Sequence, residues 1–144
     1  MPREDGFRTR ERLLDAASDI FAQKGFRDAT IAEISERAGT NIASVNYHFR
    51  NKENLYIEAW QCAFKESMKA HPFNDSQSEN EPAEDRFRAR IKAVIKKLAD
   101  MNRNFWIIQK EFSNPTGLLE DVKKKEILPF FNQGKNLLRE LIGP

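Results

Sequence analysis

Cysteine is almost missing from this chain. Cys62 stands alone among 144 residues, which excludes an internal disulfide and a cysteine-based metal site and suits the cytoplasm. Histidine is nearly as scarce, with only His48 and His71, so no metal site is expected. No apolar run approaches the length that spans a bilayer, and the opening Met-Pro-Arg-Glu-Asp-Gly lacks the apolar core of a secretory signal. A cytoplasmic location with no membrane partner is the expectation. Acidic pairs, glycine-rich phosphate loops and zinc-ligand spacings are also missing, so the chain reads as no enzyme, with no catalytic residue and no cofactor. Cys62 falls beside bulky apolar residues on an amphipathic stretch, where an inert buried thiol is expected rather than a nucleophile.

A large excess of one charge is lacking too. The formal net charge is +2, and residues 1–70 hold eleven Lys and Arg against eleven Asp and Glu. A nucleic-acid partner is therefore not announced by bulk charge, and any such claim rests on where the charges lie. Arg3, Arg8, Arg10 and Arg12 cluster near the start, while Arg50 and Lys52 follow a second group of motifs. These residues either bracket a groove or belong to a solvated mixed-charge surface.

What the chain does contain is helical periodicity throughout, with no strand pattern and no repeat, so the fold class is all-α. A first helix is expected from about Thr9, acting as N-cap, to Lys24, with Leu13, Leu14, Ala17, Ile20 and Phe21 on one stripe. Gly25 ends it in a left-handed residue and Phe26 returns to the core. Thr30 and Glu33 form a capping box opening a second helix, with Ile31, Ile34 and Ala38 inward and Gly39 at its end. Asn41 caps a short third helix through about His48, with Val45 and Phe49 facing the core. Asn51 caps a longer fourth helix that carries Leu55, Tyr56, Ala59, Trp60, Ala63 and Phe64.

Residues 71–85 hold two prolines and many small polar or acidic residues and read as a mobile loop between modules. Beyond it, Phe87, Ile91, Val94, Ile95, Leu98 and Met101 mark an amphipathic helix. Phe105 to Phe112 is apolar almost all round, a pattern usually buried. Asn114-Pro115-Thr116-Gly117 is a turn, and Leu118 to Ile142 is a last helical region kinked or split by Pro129.

The second and third helices, joined by a glycine-containing turn, have the form of a helix-turn-helix that presents its second helix to the DNA major groove. On that geometry Asn41, Ile42, Ala43, Ser44, Asn46, Tyr47 and His48 divide between bases and backbone. Ser44 and Asn46 suit base edges, Ile42 or Ala43 a thymine methyl, and Tyr47 and His48 the phosphates. Thr30 and Lys52 sit at helix N-termini, which suits phosphate. The plainer readings stay open: Thr30 and Asn41 as caps alone, His48 as a packed or surface histidine, Tyr47 as core. An exposed Ile42 favours a partner.

The run from Arg10 through Trp60 resembles the N-terminal domain of the tetracycline-repressor (TetR/AcrR) family of transcriptional regulators. The elements that carry the resemblance are Leu13-Leu14-Asp15-Ala16-Ala17, Phe21-Ala22-Gln23-Lys24-Gly25-Phe26, Ala29-Thr30-Ile31 and Ile34-Ser35-Glu36-Arg37-Ala38-Gly39. Tyr47-His48-Phe49 and Asn51-Lys52-Glu53-Asn54-Leu55 are the most telling. The resemblance implies a three-helix DNA-binding head over 1–51, a connecting helix over 52–70, a loop over 71–85 and a partial helical effector-binding and dimerisation domain over 86–144. It puts Thr30 and Lys52 on phosphates, Tyr47 and His48 on the backbone side, and Ser44 and Asn46 at base-reading positions. Asn46 replaces the aromatic more usual there. The segment from Gln109 to Thr116 looks like the C-terminal domain of the CecR-like subgroup. Family members continue through two further helices that form most of a dimer interface, so the expectation is either that this chain is truncated or that dimerisation uses other surfaces.

The resulting expectation is a sequence-specific transcriptional repressor of a palindromic double-stranded operator, a homodimer where the last helices are present. A small hydrophobic effector would release it, from a cavity lined by Trp60, Phe105, Trp106, Gln109, Phe112, Phe130 and Phe131, with Asn102 or Arg103 nearby. A packed core is the other reading of those aromatics. The alternative function is a truncated regulator or small helical interaction protein without independent operator binding.

Overall fold

A computed structural model describes residues 2–72 and 80–143, with side chains from Asp5 onward. Residues 73–79 of the expected loop and the Arg3 side chain of the basic cluster lie outside what it describes. Every regular element among the described residues is helical, as the sequence pattern requires. The head comprises α1 (Pro2–Asp28), α2 (Ile31–Arg37) and α3 (Ile42–Phe49), followed by the long α4 (Lys52–Ala70). The C-terminal part comprises α5 (Ala83–Ala99), α6 (Arg103–Ser113) and α7 (Glu120–Val122), which runs on through a π-helical turn (Lys123–Ile127) into α8 (Leu128–Ile142).

Thr9 does not cap the first helix. The helix starts at Pro2, and the Thr9 hydroxyl donates back to the Asp5 carbonyl at 2.8 Å, well inside it. The reason is local: residues 3–12 contain no breaker stronger than Gly6, and proline's fixed φ and missing N–H suit a first helical position. Gly25 takes φ 78°, and the chain makes one more turn to Asp28 before α2. Thr30 caps α2 by accepting from the Glu33 N–H at 3.1 Å. Glu33 binds Lys24 at 2.8 Å with its own carboxylate. Gly39, at φ 70°, provides the left-handed turn into α3.

One hydrophobic cluster runs from head to body. It joins Leu13, Ala17, Phe21, Ile34, Val45, Leu55 and Trp60 of α1–α4 to Ile107 of α6 and to Leu119, Val122 and Ile127. Each large side chain buried there contributes about 1.5–3 kcal/mol of transfer free energy. Helix α6 lies against both α1 and α4, while α5 pairs with α8. Pro129 opens α8 directly after the π-turn. Because proline has no N–H to offer the preceding turn, the wider winding shifts the register where an ordinary turn would lose a bond.

Two expectations about burial are corrected. The segment Phe105–Phe112 is not enclosed: Ile107 and Glu111, four apart, face α1 and α4, while Trp106 and Phe112 are each 42% exposed on the other sides. Cys62 is exposed rather than buried. The apolar stripe of α5 is also open, with Ile91, Ile95 and Leu98 exposed and Met101, which the sequence pattern places on the same helix, exposed beyond its end, because only the Ala93 side meets α8.

Candidate nucleic-acid interface and effector cavities

Helix α3 has two faces. Val45 and Phe49 are buried in the head, whereas Ile42, Ala43, Asn46 and Tyr47 point outward, with Ile42 51% and Tyr47 84% exposed. Tyr47 could pack but stands in solvent, which makes it a candidate contact group. Asn41 caps the helix, its Oδ1 accepting from the Ser44 N–H at 3.0 Å, which leaves the side-chain amide N–H groups directed away. Ser44 is half-buried, and its hydroxyl pairs with the Thr40 hydroxyl at 2.7 Å and lies 3.3 Å from Asn41 Oδ1. Ser44 is thus tied into the turn, and Asn46 carries the freer polar group. Sequence reasoning does not single out Thr40. Its one signal is a pair of hydroxyls four residues apart across a cap.

The His48 ring lies edge-on to Tyr47 at 4.9 Å and 6.3 Å from Phe49, half-buried at the far end of α3. Thr30 is exposed and its oxygen accepts the capping bond, so its O–H remains a donor for phosphate. The Lys52 ammonium sits 4.4 Å over the Phe26 ring and donates to the Arg27 carbonyl at 3.4 Å, three residues ahead of Thr30 in the chain. Those two phosphate candidates therefore border the same turn. Arg10 is occupied internally: it pairs with Glu58 at 2.5 Å and its guanidinium lies 4.6 Å over Phe49, tying α1 to α3 and α4. Arg8, Arg12 and Arg50 are exposed.

The head is also bonded to the body. Arg103 of α6 meets Asp15 at 2.6 Å and Asp19 at 3.0 Å, and Arg37 of α2 meets Asp19 at 3.0 Å. Burial works to raise the Asp19 carboxyl, but bonds and charge from the two guanidinium groups outweigh it and hold it below its usual value. Glu111 is 1% exposed, a lone acid on an apolar helix, and sequence reasoning misses it too. Its carboxylate accepts from the Thr116 N–H at 3.0 Å, the Thr116 hydroxyl at 2.5 Å and the Tyr56 hydroxyl of α4 at 3.4 Å. Burial, with Glu111 adding to it, pushes the Tyr56 phenol well above its usual range, so it stays a neutral donor. Burial, then Glu66 and Glu58, likewise raise the Cys62 thiol, which is the opposite of an activated nucleophile.

The residues expected to line one effector cavity are distributed over several hollows. Phe105, Gln109 and Phe112 line a cavity of about 230 Å³ between α4, α5 and α6, together with Asn102, Ile108 and Leu98. Trp106 and Gln109 border a second hollow, of about 590 Å³, between α6 and the end of α1. Phe130 faces a third, of about 630 Å³, with Phe64 and Met68. Trp60 is wholly buried, stacked on Phe64 at 5.6 Å, with its indole N–H unpaired among the described residues. Phe131 is exposed, and Arg103 is committed to its aspartates. Among the described residues no cluster of three acidic, histidine or cysteine side chains could hold a metal, and no helix is long and apolar enough to cross a membrane.

Comparison with known proteins agrees with this geometry. Residues 13–59 match the family described as bacterial regulatory proteins, tetR family. The HTH-type transcriptional regulator AcrR of Shigella flexneri is 30% identical over 61 residues, which are 42% of this chain and 28% of that protein. The icaADBC operon negative regulator IcaR of Staphylococcus aureus (strain Newman) is 29% identical over 55 residues, 38% of this chain and 30% of that protein. The match spans less than a third of either relative. Among solved structures, a TetR-like transcriptional regulator from Rhodococcus sp. RHA1 superposes with TM-score 0.73 at 14% identity, over 92% of this chain and 70% of that one. The hemolysin II transcriptional regulator HlyIIR gives 0.69 at 24% identity, over 94% and 73%. These two likenesses extend the shared fold through the C-terminal helices.

Proposed function

We propose, from the premise that residues 13–59 are the N-terminal domain of the tetR family of bacterial regulatory proteins, that this chain is a cytoplasmic, sequence-specific DNA-binding transcriptional regulator. Its output is repression of a palindromic operator, gripped by two copies and released by a small apolar effector. Residues 1–51 form the head, 52–70 the connecting helix and 86–144 the effector-binding part. The observation that carries this reading is the outward face of α3, where Ile42, Ala43, Asn46 and Tyr47 are exposed while Val45 and Phe49 anchor the helix. Asn46 reads a base edge, Ile42 or Ala43 meets a methyl group, and Thr30, Tyr47, His48 and Lys52 hold the backbone. The effector occupies the cavity between α4, α5 and α6, where Phe105, Ile108 and Phe112 supply an apolar wall and Gln109 and Asn102 the polar groups.

Fluorescence anisotropy on duplexes from DNA flanking its own gene, against scrambled duplexes, tests the reading. Replacing Ser44, Asn46 and Tyr47 together by alanine is expected to remove the discrimination, at about 1–3 kcal/mol for each base-edge interaction abolished. Unchanged discrimination refutes it. A second reading, a helical interaction protein that does not grip an operator alone, is favoured by the open apolar stripes of α5 and α8, where Ile95, Leu98, Phe131 and Ile142 are exposed. It predicts a monomer in light scattering that associates with DNA without regard to sequence.

A further inference from the structure

The hollow of about 590 Å³ between head and body is separate from the proposed effector cavity, and only Gln109 borders both. Its walls are aromatic: Phe26 from the last turn of α1, past the Gly25 kink, Tyr56 from α4 and Trp106 from α6. Phe26 and Tyr56 are held in place by the core, their ring centres 5.0 Å apart. Trp106 touches Phe105 edge-on at 5.2 Å and still leaves 42% of its surface in solvent. An indole left partly open on the wall of a hollow of this size offers a flat molecule a surface to stack on, since small-molecule sites commonly run from about 300 to 1,000 Å³.

The charges around the hollow are unequal. Arg27 borders it, and its guanidinium donates only to neutral carbonyls, of Pro115 at 3.1 Å and Asn114 at 3.4 Å. Lys110 borders it as well and is in no ion pair among the described residues. Lys24 completes the rim but already holds Glu33. Against these cations stands one lining acid, Asp28. The Gln109 amide and the Ser113 hydroxyl add donors. A guanidinium satisfied by carbonyls alone retains its full charge and N–H groups free to bind a carboxylate, the strongest kind of hydrogen bond available here.

We infer that this junction hollow is a second small-molecule site, distinct from the effector cavity, and that it takes a planar aromatic carboxylate stacked on Trp106 with its anionic end towards Arg27 and Lys110. A ligand seated there touches the turn that leads into Thr30 and the helix that carries the body, so it is held only while head and body keep this spacing.

Isothermal titration of the whole chain with 2-naphthoate, and with the cationic 2-naphthylmethylammonium as its counterpart, tests the inference without any DNA. Saturable binding of naphthoate below about 1 mM is expected, with the cation at least about tenfold weaker. Trp106→Ala and Lys110→Glu change exposed or half-exposed side chains and each should weaken naphthoate about tenfold or more, with melting curves recorded to confirm folding. Leu98→Trp, which narrows the other cavity, should leave naphthoate binding as it was. No saturable binding, a cation that binds as well as the acid, or a loss caused by Leu98→Trp in place of the two junction variants overturns the assignment. None of these results depends on operator binding, so the proposed function stands or falls separately.

Discussion

Replacing Glu111 by glutamine keeps the shape of the buried side chain and removes only its charge and one acceptor. In the native arrangement both oxygens accept: the Thr116 O–H at 2.5 Å, the Thr116 N–H at 3.0 Å and the Tyr56 O–H at 3.4 Å. A glutamine turns one of those positions into an N–H₂ that faces donors. Hydrogen bonds to a charged group contribute about 1.5–3 kcal/mol and neutral ones about 0.5–1.5, so weakening two short bonds and opposing a third costs about 2–3 kcal/mol. For a chain of this length about 2–4 °C of melting temperature corresponds to each kcal/mol, giving an expected fall of about 5–10 °C. Thermal melts of the wild type, Glu111→Gln, Thr116→Val and the double variant measure it. The two substitutions should couple by about 1 kcal/mol, because they remove one shared bond. A Glu111→Gln protein melting within about 1 °C of wild type refutes the claim that this carboxylate anchors the 114–117 turn against α4.

Asn41→Ala removes the cap of α3, and about 1 kcal/mol of stability is expected to go with it, together with a loss of operator affinity larger than that of an exposed-surface control; denaturant titration and anisotropy read the two effects. Asp19→Asn should show a pH-dependent cost. Asp19 has a folded-state value held below the unfolded one, so its stabilisation is complete at neutral pH and is lost as pH falls through the depressed value. The gap in melting temperature between wild type and Asp19→Asn should therefore close progressively below about pH 4. A gap that stays constant from pH 7 to pH 3 contradicts the assigned partners.

The parts of the fold that are legible in the sequence are those fixed within four residues. Thr30, Asn41 and Asn51 each cap the helix that follows by accepting the N–H three residues on. Gly25 and Gly39 both adopt the left-handed backbone their positions require. The inward stripe of α4 likewise follows from spacing alone. Illegible features depend on distant partners or on an absence of contrast. Residues 3–12 carry almost no apolar signal, so nothing marks the true start of α1. In the run Phe105–Phe112 the apolar residues fall on nearly all sides and give no clear stripe, and only packing against α1 and α4 chooses Ile107 and Glu111 as its inner face. The exposure of Cys62 runs against its expected burial although helix geometry points to it: two residues past the buried Trp60 it lies roughly 200° round the helix. The outward positions of α3 proposed to read bases, Ile42, Ala43 and Asn46, are legible from helical spacing as exposed ones. The binding of the Ser44 hydroxyl by Thr40 and Asn41 is not, because it needs side-chain directions.

The neutral head becomes intelligible once its acids are traced. Asp19 is bound by Arg37 and Arg103, Asp15 by Arg103, Glu33 by Lys24 and Glu58 by Arg10. These four acids are thus balanced within the molecule, one arginine being contributed by the body, while Asp5, Glu11, Asp28, Glu36 and Glu53 are in no ion pair among the described residues. The exposed Arg8, Arg12 and Arg50 and the Lys52 ammonium, with no acid bound to them among the described residues, remain for a polyanion. On the proposed function, such a head would attract DNA weakly at long range and depend on fit at close approach, which favours discrimination over non-specific hold. Counting these four cations and leaving out Arg27, which is turned to the Asn114 and Pro115 carbonyls, the slope of log affinity against log salt is expected near −4 for one head and near −7 for two, at about −0.9 per phosphate neutralised. Arg103→Gln releases Asp15 and leaves Asp19 to Arg37 alone, without touching the outward face of α3, and it should weaken operator binding while leaving that slope nearly unchanged. A slope near −10 from a two-headed complex would mean that Arg27 or arginines here assigned to internal pairs have turned to bind phosphate, and the account of the head's charge would fail with it.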